Sequence, residues 1–199
     1  MVRQKKYEDF AYVLDVYPAS ELKARLPNIT LSRGELIVQL LGEDFFTLLE
    51  AAVSPKHKPP IGTRIYVGKD VPRSILRIIR RINYEDLTQN AKNELENAVR
   101  KIVESNEQRF VEFFNKCTPV TPKMHALELM PSIGKKIALK IIAEREMKPF
   151  ESYEDLKKRG KIQDPVKIIV QRILQELMNH EERHRLFVRE PIRRTSPPI

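Results

Sequence analysis

The stretch Leu129-Met130-Pro131-Ser132-Ile133-Gly134-Lys135-Lys136-Ile137-Ala138 joins a proline that stops one helix to a glycine that opens the next, with two lysines directly after it. The first backbone N–H groups of a helix have no partner within it, its dipole favours negative charge there, and Lys135 and Lys136 add two cations beside the same spot. Such a turn takes an anion, and a phosphate above all. Ser132, Ile133, Gly134, Lys135, Lys136 and, one turn further along, Lys140 are therefore the expected phosphate contacts. A valine at Gly134 is expected to obstruct the approach of the phosphate and to strain the turn. A second constellation, His180-Glu181-Glu182-Arg183-His184, has the spacing that puts two imidazoles on one helix face to hold zinc, with a glutamate as base. Its neighbours are highly charged and give no apolar burial, so it reads as a solvated helix terminus. No catalytic residue, no metal site and no cofactor are expected.

The elements around these residues are bounded by composition. A chain of 199 residues with 41% hydrophobic content has room for one large or two small domains with real cores. Its net charge of +9 favours polyanionic partners. The excess of Lys and Arg lies toward the two ends of the chain and the middle is close to neutral, which reads as two basic modules joined by a spacer. Cys117 is the only cysteine, which rules out an internal disulfide or thiolate cluster and suits a reducing compartment. No apolar run approaches the length of a membrane span, so a cytoplasmic protein without a membrane partner is expected.

Four stretches, Phe10 to Val16, Glu35 to Leu41, Phe45 to Val53 and Ile61 to Val67, have the length and turn boundaries of strands, and Ser74 to Ile82 fits either a strand or a helix. The expected fold class is α+β: a small β-barrel of the oligonucleotide-binding kind over residues 1–82, followed by an all-α domain. Arg64 and Tyr66 would then lie on a basic, aromatic surface that stacks bases and tracks a backbone. Tyrosines packed inside an ordinary barrel are an equal reading. Thr88 is the expected N-cap of a helix with the stripe Leu95, Ala98, Val99, Ile102 and Val103, and Phe110, Val111, Phe113 and Phe114 form a second apolar face. These helices make a connector over 83–118. In residues 119–190, Thr121 and Pro122 are expected to start the helix that leads into the lysine turn. Ser152 and Asp155 suggest a capping box, and Asp164-Pro165 the start of a last long helix. Residues 191–199 read as a disordered tail.

The lysine turn resembles the hairpin of the helix-hairpin-helix family, which grips a nucleic-acid backbone without reading bases, with Ser132 in place of the first glycine. Arg159-Gly160-Lys161-Ile162 occupies the place of a second, degenerate hairpin with a structural role. In glycosylases of that family a lysine after the hairpin and a later aspartate do the chemistry, a pair that Lys136 and Asp155 imitate, but Asp155 is better explained as a helix cap. Ile82-Asn83-Tyr84-Glu85-Asp86-Leu87-Thr88, Arg109 to Asn115, Leu127 to Pro131 and Pro149-Phe150-Glu151-Ser152 together resemble the archaeal domain-of-unknown-function 655 family over roughly the full chain. That resemblance implies an RNA-binding protein with an oligonucleotide-binding-like barrel, helix-hairpin-helix units and no established activity. The expected function is backbone binding to RNA, with DNA as the alternative partner in a repair accessory role. The competing class is an adaptor that docks on a ribosomal or polymerase subunit. If the zinc reading is wrong, purified protein holds far less than stoichiometric zinc by elemental analysis, and His184→Ala leaves nucleic-acid binding unchanged.

Overall fold

The computed structural model describes residues 7–32 and 34–192. Most of the tail expected over 191–199 lies outside the described residues. The chain divides into two compact units, Met1–Ala98 with Phe187–Ile199, and Val99–Leu186.

The first unit is built on β1 (Phe10–Pro18), β2 (Leu36–Gly42), β3 (Leu48–Val53), β4 (Arg64–Tyr66) and β5 (Leu76–Arg81), with the short helix α1 (Ala19–Arg25) between β1 and β2. The strands form an antiparallel sheet in the order β4-β1-β2-β3-β5. The strands expected to make a small β-barrel form an open sheet. β4 is three residues long and pairs with Phe10–Tyr12 of β1, whereas β5 pairs with β3, so the two outer strands are the free edges among the described residues. β3 also starts later than its apolar run suggests. The buried Glu8 carboxylate accepts the N–H groups of Asp44, at 2.8 Å, Phe45, at 3.2 Å, and Thr47, at 3.1 Å, which bends Phe45–Thr47 into the β2–β3 turn. Gly42 makes room for that carboxylate, since a Cβ there would lie 2.1 Å from Glu8 Cδ.

Each face of the sheet carries its own apolar cluster, one around Val13, Leu40, Ala51 and Leu76, the other around Tyr17, Leu22, Ile37 and Ala52. Irregularities in register between Val13 and Asp15, and opposite Glu50 and Ala51, break the two-residue alternation. As a result Asp15 stands opposite Gln39, Gln39 opposite Glu50, and Glu50 opposite Arg80, a polar row across four strands. Gln39 and Glu50 are fully buried. Glu50 accepts from Tyr17 Oη at 2.9 Å, from Gln39 Nε2 at 3.0 Å and from Arg80 Nε at 2.8 Å. Burial, and then the charge and hydrogen bond of Glu50, push the Tyr17 hydroxyl well above the usual phenol range. The row also holds the start of the next helix: Thr88 N–H donates to Gln39 Oε1 at 2.9 Å, and Thr88 Oγ1 donates to Asp15 Oδ2 at 2.6 Å while accepting from Ala91 N at 3.1 Å. Thr88 is thus the N-cap of α2 (Gln89–Ser105), whose stripe Leu95, Ala98, Val99, Ile102 and Val103 is buried. The end of the chain returns to this unit, with Arg189 N–H on Phe45 O at 3.0 Å, Arg81 Nη2 on Glu190 O at 2.6 Å, and Ile192 pairing its backbone with the Asn83 side chain.

The second unit continues with α3 (Glu107–Lys116), a short β6–β7 hairpin (Pro119–Thr121 and Met124–His125), a 3-10 turn (Ala126–Leu129), α4 (Lys135–Met147), α5 (Tyr153–Lys158) and α6 (Pro165–Met178). Thr121 and Pro122 do not start a helix: they form the end of β6 and the hairpin turn, because a Thr-Pro pair opens turns as readily as helices. Phe110, Val111 and Phe114 are fully buried, and Phe150 is held by the Asn115 amide, which pairs with its N–H at 2.8 Å and its carbonyl at 2.9 Å. Tyr153 Oη donates to Val103 O at 2.8 Å.

Replacing a buried charge by alanine strands its partners. Glu50→Ala is expected to lower stability by about 3–5 kcal/mol, as breaking a buried ion pair does, measured by urea unfolding. Glu50→Gln, which keeps an acceptor for Tyr17, should lose less.

Candidate nucleic-acid interface

The lysine turn is set up from the 3-10 turn before it. His125 Nδ1 accepts from Leu127 N at 3.1 Å, and Glu128 Oε1 accepts from His125 N at 2.9 Å, a reciprocal capping box. Leu127 and Met130 are buried, which fixes where the turn leaves the core. Ile133 N–H then donates to Met130 O at 3.1 Å across Pro131 and Ser132, and Ser132 has φ +62. Proline followed by a left-handed residue is the pattern of a type II turn, and a serine in that conformation costs about 1–2 kcal/mol relative to glycine. Ile133 is buried, at 4% exposure, and its N–H is already bound, so it plugs the turn into the core and its side chain does not face a ligand. Ser132, Gly134, Lys135, Lys136 and Lys140 are exposed.

α4 begins after Gly134 with no side-chain cap and no acidic residue in its first turn. Its first N–H groups are those of Lys135, Lys136 and Ile137, and the ladder starts with Ala138 N on Gly134 O at 3.0 Å. Lys136 and Lys140, four residues apart, stand on one face. Gly134 has φ −84, and a Cβ there would meet nothing within 4 Å. The expected strain of a side chain at Gly134 is therefore absent, since the left-handed residue is Ser132.

A second turn repeats part of this arrangement. Lys161 has φ +57 and is followed by the buried Ile162, as Ser132 is by Ile133. Its helix start is already satisfied, because Asp164 Oδ1 accepts from Lys167 N at 2.9 Å, and that carboxylate would repel a phosphate. Asp155 is also engaged. It donates its N–H to Ser152 Oγ at 3.1 Å, and its carboxylate holds Arg159 at 2.9 Å. The His180–His184 stretch lies beyond the end of α6 in turns and bends, not on a helix, so the two imidazoles share no helix face. The buried Arg172 holds it there, with Nη2 on His184 O at 2.5 Å and Nε on Glu176 Oε1 at 2.8 Å. Among the described residues no cluster of three or more His, Cys, Asp or Glu is placed to hold a metal.

Arg64 and Tyr66 belong to the first unit, on the edge strand β4, and the lysines to the second. The Arg64 guanidinium stands 3.5 Å from the centroid of the Phe10 ring, and its Nε donates to Glu43 Oε2 at 2.6 Å. Tyr66 meets the same ring edge to face at 5.3 Å, and its hydroxyl donates to Asp70. Sequence reasoning passed over a cleft of about 740 Å³ in this unit, whose lining includes Tyr7, Lys69, Arg73, Arg77, Arg81 and Arg189. The spacing of Arg73, Arg77 and Arg81 around an apolar run is the local signal, but Arg189 joins them only through the fold.

These features define an α+β protein with an open five-stranded antiparallel sheet and a helical unit that presents a lysine-flanked helix start. The chain belongs to the family described as Protein of unknown function (DUF655), whose pattern matches residues 7–189. It is similar to the uncharacterized protein MJ0038 of Methanocaldococcus jannaschii, 42% identical over 189 residues, which are 94% of this chain and 82% of that protein. It is also similar to the crystal structure of Af1531 from Archaeoglobus fulgidus, of the same family, with a TM-score of 0.76 and 41% identity over 92% of this chain and all of that one. Both relatives are archaeal, in agreement with the family resemblance.

The cap at the 3-10 turn makes this region sensitive to pH. Burial, followed by the charge of Arg145, lowers the His125 pKa below its ordinary 6.5, while Glu128 opposes the shift. The neutral imidazole, whose Nδ1 can accept, is the form that the fold holds. The contribution is complete above the unfolded value and is lost as pH falls from about 6.5 through the folded pKa. His125→Asn, which keeps a cap but does not titrate, is expected to be less destabilised than wild type on going from about pH 7 to about pH 5, read as the change in urea midpoint.

Proposed function

We propose that this chain is a nucleic-acid-binding protein, not an enzyme, and that it holds RNA by its phosphate backbone at the turn before α4. The observation that carries the reading is a helix start with no side-chain cap and no acid, flanked by the exposed Lys135, Lys136 and Lys140. Free N–H groups, the helix dipole and three cations all favour the same negatively charged group. On this reading Met130–Gly134 acts as a helix-hairpin-helix turn whose first helix is shortened to a 3-10 turn, and Arg159–Asp164 is its structural counterpart. The five-stranded sheet serves as a partly open oligonucleotide-binding-like module, and the protein works in the cytoplasm. The contacts proposed at the turn are all to phosphate, so binding is weakly dependent on sequence.

A docking role on a protein partner is the second reading, and Leu139 and Met147, exposed on α4 at 58% and 85%, are the observation that favours it. Salt separates the two. If each lysine neutralises a phosphate, Lys135→Ala with Lys136→Ala is expected to weaken binding to all sequences alike and to reduce the slope of log K against log salt by about 1.4 on single strands or about 1.8 on duplex DNA. Matched RNA and DNA oligonucleotides in the same titration identify the preferred strand. Gly134→Ala should leave thermal stability nearly unchanged while hindering the close approach of a phosphate. Unchanged affinity and slope in the double alanine variant would remove the turn as the clamp.

A further inference from the structure

The open side of the sheet carries a second cationic site with a different construction. The cleft combines an apolar wall, which includes Leu49, Leu76 and Ile78, with cations contributed by β5, by the segment after β4 and by the returning end of the chain. Its volume of about 740 Å³ is much larger than a lone phosphate needs and falls within the usual size of small-molecule sites. Arg81 is placed on this wall by the irregular register on β5, which sends Arg80 to the opposite face to meet Glu50. The Arg81 guanidinium is anchored by Nη2 on Glu190 O at 2.6 Å, while its Nε is shielded from solvent with no hydrogen-bond partner among the described residues. Thr47 Oγ1, on the same wall, is likewise unpartnered there. Burial and the neighbouring positive charge of Arg189 both lower the Arg81 pKa, and only Glu8 opposes them. Glu8, held by three backbone N–H groups, partly offsets this positive charge. Tyr7, 58% exposed, lies at the cleft with Lys69 Nζ 4.1 Å from its ring centroid. Solvated cations repel one another and spread over a surface, whereas here they converge on a concave apolar wall.

We propose that this cleft is a nucleotide site, in which Arg81 and Arg189 take the phosphate and the apolar wall, with Tyr7 beside it, takes the base. Lys69 and Arg73 complete the positive rim, whereas Arg77 is paired with Glu35 at 3.4 Å. The chemistry is that of a nucleoside monophosphate, either free or as one residue of a single strand. The site shares no residue with the turn before α4, since its residues belong to the other unit.

The test titrates the full chain with adenosine 5′-monophosphate, and with a hexanucleotide of adenosine carrying or lacking a 5′-phosphate, using poly-glutamate as a competitor. At least one nucleotide probe should bind to wild type, lose tenfold or more in affinity in Lys69→Gln with Arg73→Gln and in Arg81→Gln, and keep its affinity in Lys135→Ala with Lys136→Ala. Tighter binding of the free nucleotide assigns a small-molecule site, and tighter binding of the hexanucleotide assigns a strand. Lys69 and Arg73 are exposed, so their double variant decides the matter if Arg81→Gln fails to fold. Absence of binding by every nucleotide probe, binding unaffected by the cleft substitutions, or equal competition by poly-glutamate would each overturn the proposal. Loss of binding in the lysine-turn variant alone would assign the probes to that turn and also overturn it.

Discussion

The buried carboxylate of Glu50 is the constraint around which the first unit is arranged. A charge taken out of water must be matched by partners with good geometry, and Glu50 is given a guanidinium, a phenol and an amide from three different strands. The amide is Gln39, which also donates to Asp86 O at 3.0 Å and accepts from Thr88 N, so one side chain joins the sheet to the segment that starts α2. A slip of β1 by one residue would put Leu14 or Val16 in the polar row and Asp15 in an apolar cluster. The row therefore specifies register as well as contributing energy.

The second unit uses backbone conformation in a comparable way. Two turns each place a left-handed residue before a buried isoleucine, Ser132 with Ile133 and Lys161 with Ile162, so in both the plug fixes where the following helix begins. What differs is the chemistry left at the helix start. Asp164 caps α6 with its own carboxylate, whereas α4 has lysines at the corresponding place. Nearly the same geometry thus yields one helix start capped by a carboxylate and one with no side-chain cap.

The strands were legible because apolar residues alternate between turn signals, and Thr88, Ser152 and Asp164 were legible as caps from residue type alone. Openness of the sheet was not legible, because alternation says which residues face a core and not whether a three-residue edge strand finds a second neighbour. The breaks in register were also hidden, since the one irregular residue in each looks like an ordinary member of an apolar run. α1 is too short for a periodic stripe, and Thr121-Pro122 belongs to a hairpin because the same pair serves two local structures. Among the candidate contacts, the lysines were readable from their spacing after a glycine. The buried position of Ile133 was not, and the arginines of the cleft meet only through tertiary structure.

The sheet unit is discontinuous in the chain. Its strands are complete by Arg81, yet Phe45, Arg81 and Asn83 bind backbone supplied more than a hundred residues later, at Arg189, Glu190 and Ile192. On a ribosome the helical unit consequently has every one of its residues before the sheet unit does, although it comes later in sequence. Until the last segment emerges, Asn83 and Arg81 must be satisfied by water. The order of synthesis and the order of completion are opposite for the two units.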